Sequence, residues 1–168
     1  IGGDEAGSFE YDPAGNMTAQ VLGGLRSDFA YDRLNRMASA TVGGRTQGYE
    51  YYGASWMRRS VTSAGQTDAY LYDGFAAVSQ TRGGQTRHYM VPGSAPLWET
   101  SASQTLAYAT DGLGNVTGLA RATGYAQKIS YDAYGSPTTT DGYGNPQPNS
   151  SGPRYPGQLY DAATDQVY

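Results

Sequence analysis

Few residues of this 168-residue chain have side chains suited to catalysis or metal binding. There is one histidine, His88, and no cysteine. Nucleophilic catalysis of the Ser-His-carboxylate kind would have to converge on His88. That residue stands in Gln85-Thr86-Arg87-His88-Tyr89, a β-forming stretch in which a structural role is expected. Thiolate and disulfide chemistry are excluded, and a zinc site lacks its usual ligands. Aspartates recur behind tyrosines, as Tyr11-Asp12, Tyr31-Asp32, Tyr72-Asp73, Tyr131-Asp132 and Tyr160-Asp161, with Tyr51 followed instead by Tyr52. Carboxylates of this kind can be general acids or calcium ligands. Their return at one phase of a repeat points instead to turns in which the Asp side chain accepts backbone N–H groups two residues on. Asp141-Gly142-Tyr143-Gly144-Asn145 lacks the alternating carboxylates and closing Glu of a calcium loop. Gly112-Leu113-Gly114 lacks the βαβ setting of a dinucleotide fingerprint. The expectation is a chain with no catalytic, metal or cofactor residues, whose Tyr-Asp steps are structural.

The elements that carry these residues follow from a period of about twenty residues. Glycine pairs fall at Gly2-Gly3, Gly23-Gly24, Gly43-Gly44 and Gly83-Gly84, with Ser63-Ala64-Gly65 in the missing place. Between them lie Phe9-Glu10-Tyr11, Phe29-Ala30-Tyr31, Tyr49-Glu50-Tyr51 and Tyr70-Leu71-Tyr72. Aromatics two apart share one face of a strand. Gly-Gly between β formers marks a two-residue hairpin turn, so Thr81 should face Thr86 and Gln80 should face Arg87. Asp12-Pro13-Ala14-Gly15-Asn16 reads as the other kind of turn, with Gly15 in the left-handed position. No 3.6-residue period is sustained, so almost no helix is expected. Beyond Tyr89 the rhythm loosens. Val91 to Trp98 reads as a loop ending on an anchoring aromatic, and residues 138–153 as an exposed loop or insertion.

Composition agrees with an ordered, turn-rich, all-β protein. Hydrophobic residues make up 38% and mean hydropathy is −0.58, lean for an aliphatic core, but 16 tyrosines supply apolar faces. With 24 glycines and 8 prolines the chain is rich in turns. A net charge of −4 gives no drive toward nucleic acid, and no apolar run approaches the ~20 residues of a membrane helix. The chain starts at Ile1 without a leader-like segment, so a piece of a longer polypeptide is expected, with regular repeats over 1–90 and degenerate ones over 91–168.

The ordered series of motifs resembles the YD-repeat, or Rhs, family across essentially the whole chain. The likeness rests on the four N-terminal repeats and on Tyr72-Asp73-Gly74 with Val78. It continues in Tyr89-Met90-Val91-Pro92-Gly93-Ser94 and in Thr110-Asp111-Gly112-Leu113-Gly114-Asn115-Val116. Tyr131-Asp132-Ala133-Tyr134-Gly135 and Tyr155-Pro156-Gly157-Gln158-Leu159-Tyr160-Asp161-Ala162-Ala163-Thr164 complete it. The resemblance implies an antiparallel β-hairpin strip, curved as part of a hollow shell or tube, in a secreted or cell-surface bacterial protein. In toxin-bearing members the shell encloses a C-terminal toxin. The family's self-cleavage motif lies beyond the matched stretch, so self-cleavage is not carried over; Asp12-Pro13 sits in a repeat turn and is not the matching position. Implied partners are further repeats of the same polypeptide or other copies, and an enclosed toxin. An extracellular fibre, tube or adhesin whose tyrosines stack on glycans is the alternative.

Overall fold

The computed structural model describes residues 7–93, 95–133, 135–150, 152–155, 158–161 and 166–167. Every described element is a strand. In the first compact unit, residues 1–69, these are β1 (Ser8–Tyr11), β2 (Met17–Leu22), β3 (Leu25–Tyr31), β4 (Met37–Val42), β5 (Arg45–Tyr51) and β6 (Arg58–Ser63). The boundary falls inside β7 (Gln66–Asp73). The second unit, residues 70–168, continues with β8 (Ala76–Arg82), β9 (Gln85–Met90), β10 (Trp98–Thr100), β11 (Thr105–Thr110) and β12 (Val116–Arg121). It goes on through β13 (Gly124–Tyr131), β14 (Pro137–Asp141) and β15 (Pro146–Gln147). These 15 strands form one antiparallel sheet in which each strand neighbours the next in sequence. A smaller three-stranded sheet holds β16 (Gly152–Tyr155), β17 (Gln158–Asp161) and β18 (Gln166–Val167).

The glycine pairs set the register. Leu22 pairs with Leu25, Val42 with Arg45 and Arg82 with Gln85, each across a two-residue turn. Gly83 and Gly84 have φ of +54° and +77°, the left-handed values a turn matching the strand twist requires. As the Gly-Gly turn predicts, Gln80 pairs with Arg87 and Thr81 with Thr86, the two threonine hydroxyls 2.9 Å apart. The third turn joins Ser63 to Gln66, so Ala64 takes the glycine place at φ +50°. Gly2-Gly3 lies outside the described residues, as do Ser94, Tyr134, Pro156, Gly157 and Ala162-Ala163-Thr164; Asp161 is described in its backbone alone.

Three expectations are corrected. Half of residues 138–153, namely 138–141, 146–147 and 152–153, stand in strands rather than in one exposed loop, although 143–148 are exposed. Thr139 is buried, its hydroxyl donating to Asn149 Oδ1 at 2.7 Å while Asn149 Nδ2 donates to the Pro137 carbonyl at 2.8 Å. Trp98 does not anchor its loop: it opens β10 at 40% exposure, and the buried residues beside it are Pro96 and Glu99. Asp73 does not open an Asp-centred turn. It ends β7, and β8 begins after Gly74-Phe75 alone.

Candidate functional site

Along one face of the sheet the repeat places an inward residue, an aromatic and a second tyrosine at positions i, i+2 and i+4. The triplets are Ser27-Phe29-Tyr31 on β3, Gln47-Tyr49-Tyr51 on β5 and Asp68-Tyr70-Tyr72 on β7. The first two members of each triplet are buried and the last is half-buried. Long polar side chains cover these aromatics. In the first unit the Arg58 guanidinium lies 4.1 Å from the Tyr49 ring centre, and the Tyr49 hydroxyl donates to Gln47 Oε1 at 2.9 Å. In the second, the Tyr89 hydroxyl donates to Gln80 Oε1 at 2.7 Å.

The Asp turns share one geometry. Asp12 Oδ1 accepts the N–H groups of Ala14 and Asn16, both at 2.9 Å, and Oδ2 accepts Asn16 Nδ2 at 2.8 Å. Asp111 with Leu113 and Asn115, and Asp141 with Tyr143 and Asn145, repeat it. At Asp32 the closing residue is Arg36, paired with the carboxylate at 2.7 Å. Arg36 also reaches the carbonyls of Gly53 and Ser55 and lies over the Tyr51 ring. Asn16 Nδ2 donates to Asn35 Oδ1, so consecutive turns are tied side by side. The tyrosine of the following repeat then bonds the strand leaving the turn. Tyr51 donates to the Met37 carbonyl at 2.8 Å, and Tyr131 donates to that of Val116 at 2.5 Å. Burial pushes the Tyr131 phenol up to about 12.

In the second unit the same inward position holds charge. Glu99 on β10 is in register with Tyr89 and with Leu106, which puts Arg87 and Tyr108 on its two diagonals. The Tyr108 hydroxyl donates to Glu99 Oε2 at 2.5 Å, and Arg87 Nε lies 3.5 Å from Oε1. Burial, with the Glu99 charge next, raises the Tyr108 phenol well above its ordinary range. For Arg87, burial acts downward, but the charges of Glu99, Tyr89 and Tyr108 outweigh it and the net direction is up. Arg154 of β16 and Ser150 join these residues around a cavity of about 220 Å³. Beside it, Leu106, Val116, Leu119 and Ile129 form an apolar cluster against which Tyr131 packs, and the Tyr131 and Tyr155 rings stand 5.4 Å apart. Tyr155 in turn donates its hydroxyl to the Gly135 carbonyl.

The residues singled out in the sequence are thus spread over successive turns and strands of the two sheets. Tyr160 is buried on β17, and Arg154 lies 6.0 Å from its ring centre. His88 is exposed on β9, in register with Ser79 and Thr100, neither of them a carboxylate. Among the described residues no three His, Asp or Glu side chains cluster as metal ligands would. Sequence reasoning missed Arg87, Glu99 and Arg154. Arg87 carries a usable signal, since it stands two residues before Tyr89 and so at the inward phase. Arg154 carries none: the cavity it lines is shared with strands far away in sequence, while Ser150 and Tyr160 beside it follow no repeat phase. Compared with known proteins, the chain matches no family model and no curated protein.

Proposed function

We propose that this chain is a stretch of structural wall, an antiparallel strip of tyrosine-aspartate hairpins that curves as part of a hollow shell around a C-terminal toxin or other cargo in a secreted bacterial protein. The observation that carries this reading is the state of β1. Among the described residues it pairs with β2 alone, and all four of its residues are exposed. Phe9 stands where Phe29, Tyr49, Tyr70 and Tyr89 stand in later repeats, yet it is 49% exposed where they are 3–6%. An aromatic buried in every later copy but half bare on an open edge fits a strand awaiting a neighbour of the same design. The work of such a wall is mechanical: hairpins add edge to edge, and turn-to-turn bonds such as Asn16–Asn35 hold them in line. A fibre or adhesin that stacks glycans is favoured by bare aromatics such as Tyr11, Trp56, Phe75 and Tyr143, whereas the repeat aromatics Phe29, Tyr49, Tyr70 and Tyr89 are buried.

Hydrogen exchange tests this reading on the 168-residue chain and on its parent polypeptide. The outward amides of Ser8–Tyr11 should exchange fast in the isolated chain and become as protected as those of β3 in the parent. Fast exchange in both would remove the proposed neighbour, and the wall with it.

A further inference from the structure

Three aspartates of the chain are followed by glycine, in Asp73-Gly74, Asp111-Gly112 and Asp141-Gly142. Such a step can isomerise without an enzyme. The glycine backbone nitrogen attacks the aspartate Cγ and a C–N bond forms. The hydroxyl of the neutral carboxyl leaves as water, taking the proton of that nitrogen. Water then opens the five-membered succinimide at either carbonyl. One opening returns aspartate; the other gives isoaspartate, whose main chain runs through Cβ and Cγ. Water is the one reactant needed. Glycine favours the reaction because no Cβ shields its nitrogen. The carboxyl must also be able to become neutral and to swing onto that nitrogen.

Two of the three aspartates are locked against this. Asp111 Oδ1 accepts the N–H groups of Leu113 and Asn115, both at 2.9 Å, and Oδ2 accepts Asn115 Nδ2 at 2.8 Å. Asp141 is held in the same way by Tyr143 and Asn145. The Asp111 N–H also donates to the Asn115 carbonyl, and the Asp141 N–H to that of Asn145, both at 2.9 Å. Hydrogen bonds to the charged form hold both carboxyls below the usual range, so less of the neutral acid is present. Gly142 is moreover packed so closely against the Tyr125 carbonyl that a Cβ there would collide with it. Asp73 has none of these restraints. It ends β7 exposed, and its carboxylate makes no hydrogen bond or ion pair among the described residues. Gly74 opens the following two-residue turn at φ +59°, with nothing beyond its chain neighbours within 4 Å of where a Cβ would stand.

We propose that Asp73-Gly74 is a covalent modification site at which the chain converts itself to isoaspartate, while Asp111 and Asp141 are protected by their turns. The product lengthens the main chain by one methylene beside a two-residue turn, where turn geometry fixes strand register. It also creates a substrate for a carboxyl methyltransferase that recognises isoaspartate. This inference stands independently of the wall function.

The test follows the intact 168-residue chain during incubation in water enriched in oxygen-18, at physiological temperature and mildly acidic pH. Each passage through the succinimide leaves one heavy oxygen in the residue. Tandem mass spectrometry after proteolysis locates that label and separates isoaspartate from aspartate. The expected result is isoaspartate at Asp73, with Asp111 and Asp141 slower by about tenfold or more, the worth of one charge-assisted hydrogen bond. Asn115→Ala, which removes the donor to Oδ2, should speed label entry at Asp111. Asp73→Glu should remove most of the methyl transfer that an isoaspartyl methyltransferase makes to the aged chain, at unchanged circular dichroism. Synthetic peptides spanning the three steps should isomerise at similar rates, which places the difference in the fold. Label entering Asp111 or Asp141 as fast as Asp73 overturns the proposal, as does a chain that takes up none at Asp73 while the matching peptide does.

Discussion

An aspartate whose two oxygens accept backbone N–H groups and a neighbouring side chain is stabilised in its charged form. Asp12, Asp111 and Asp141 are held below the usual carboxylate range, first by the side chains of Asn16, Asn115 and Asn145 and then by backbone amides. At Asp32 the Arg36 side chain is the largest cause. Because the folded values are depressed, the turns contribute stability above the unfolded carboxylate value near ~4 and lose it as pH falls through the folded values. Urea midpoints taken from about pH 6 to about pH 2 should therefore fall steeply in the acid limb. Asp111→Asn should lower the midpoint at neutral pH and shallow that limb; an unchanged slope would show that the turn carboxylates do not carry the acid sensitivity. These turns were only partly legible in the sequence. The tyrosine before the aspartate is not what makes them, since Asp111 and Asp141 follow threonines. Glycine or asparagine at the third place and a polar closing residue at the fourth are present after Asp12, Asp32, Asp111, Asp132 and Asp141. After Asp73 those places hold Ala76 and Ala77, and the turn does not form.

At the scale of the hairpin, conformational demand and residue type agree at the three described Gly-Gly turns and disagree at Ala64. A non-glycine residue in the left-handed region costs about 1 kcal/mol. Ala64, at φ +50° in the two-residue turn between β6 and β7, bears that cost with no close side-chain role visible in the turn. Ala64→Gly should stabilise the protein by about 0.5–1 kcal/mol, read as a higher urea midpoint at unchanged slope. A lower midpoint would mean that the turn adopts another geometry in solution. The hairpins on either side of a glycine pair were legible because two left-handed residues between β formers leave few alternatives. Residues 138–153 were not, because Pro, Gly, Ser and Asn hid the short strands among them. Thr139 is fixed through Asn149, and Arg154 through Ser150, neither of which a local pattern reveals.

For the molecule as a whole, the two ends of the long sheet differ in what they offer a neighbour. β15 is two residues long and begins at Pro146, which has no N–H to donate, so that edge is blunted. β1 is four residues long, exposed at all four of them, and carries Phe9 at a position buried elsewhere. The strip is therefore suited to extension past β1, the behaviour expected of wall material. The strand order was legible from the repeat, since hairpins joined by short turns pair in sequence. The small second sheet and the charged cavity were not, as both depend on contacts among non-repeating segments. Electron microscopy of the intact parent polypeptide, purified from its native source, is the most direct measurement. The account predicts closed shells with density inside; open tubes or filaments with an empty lumen would contradict it.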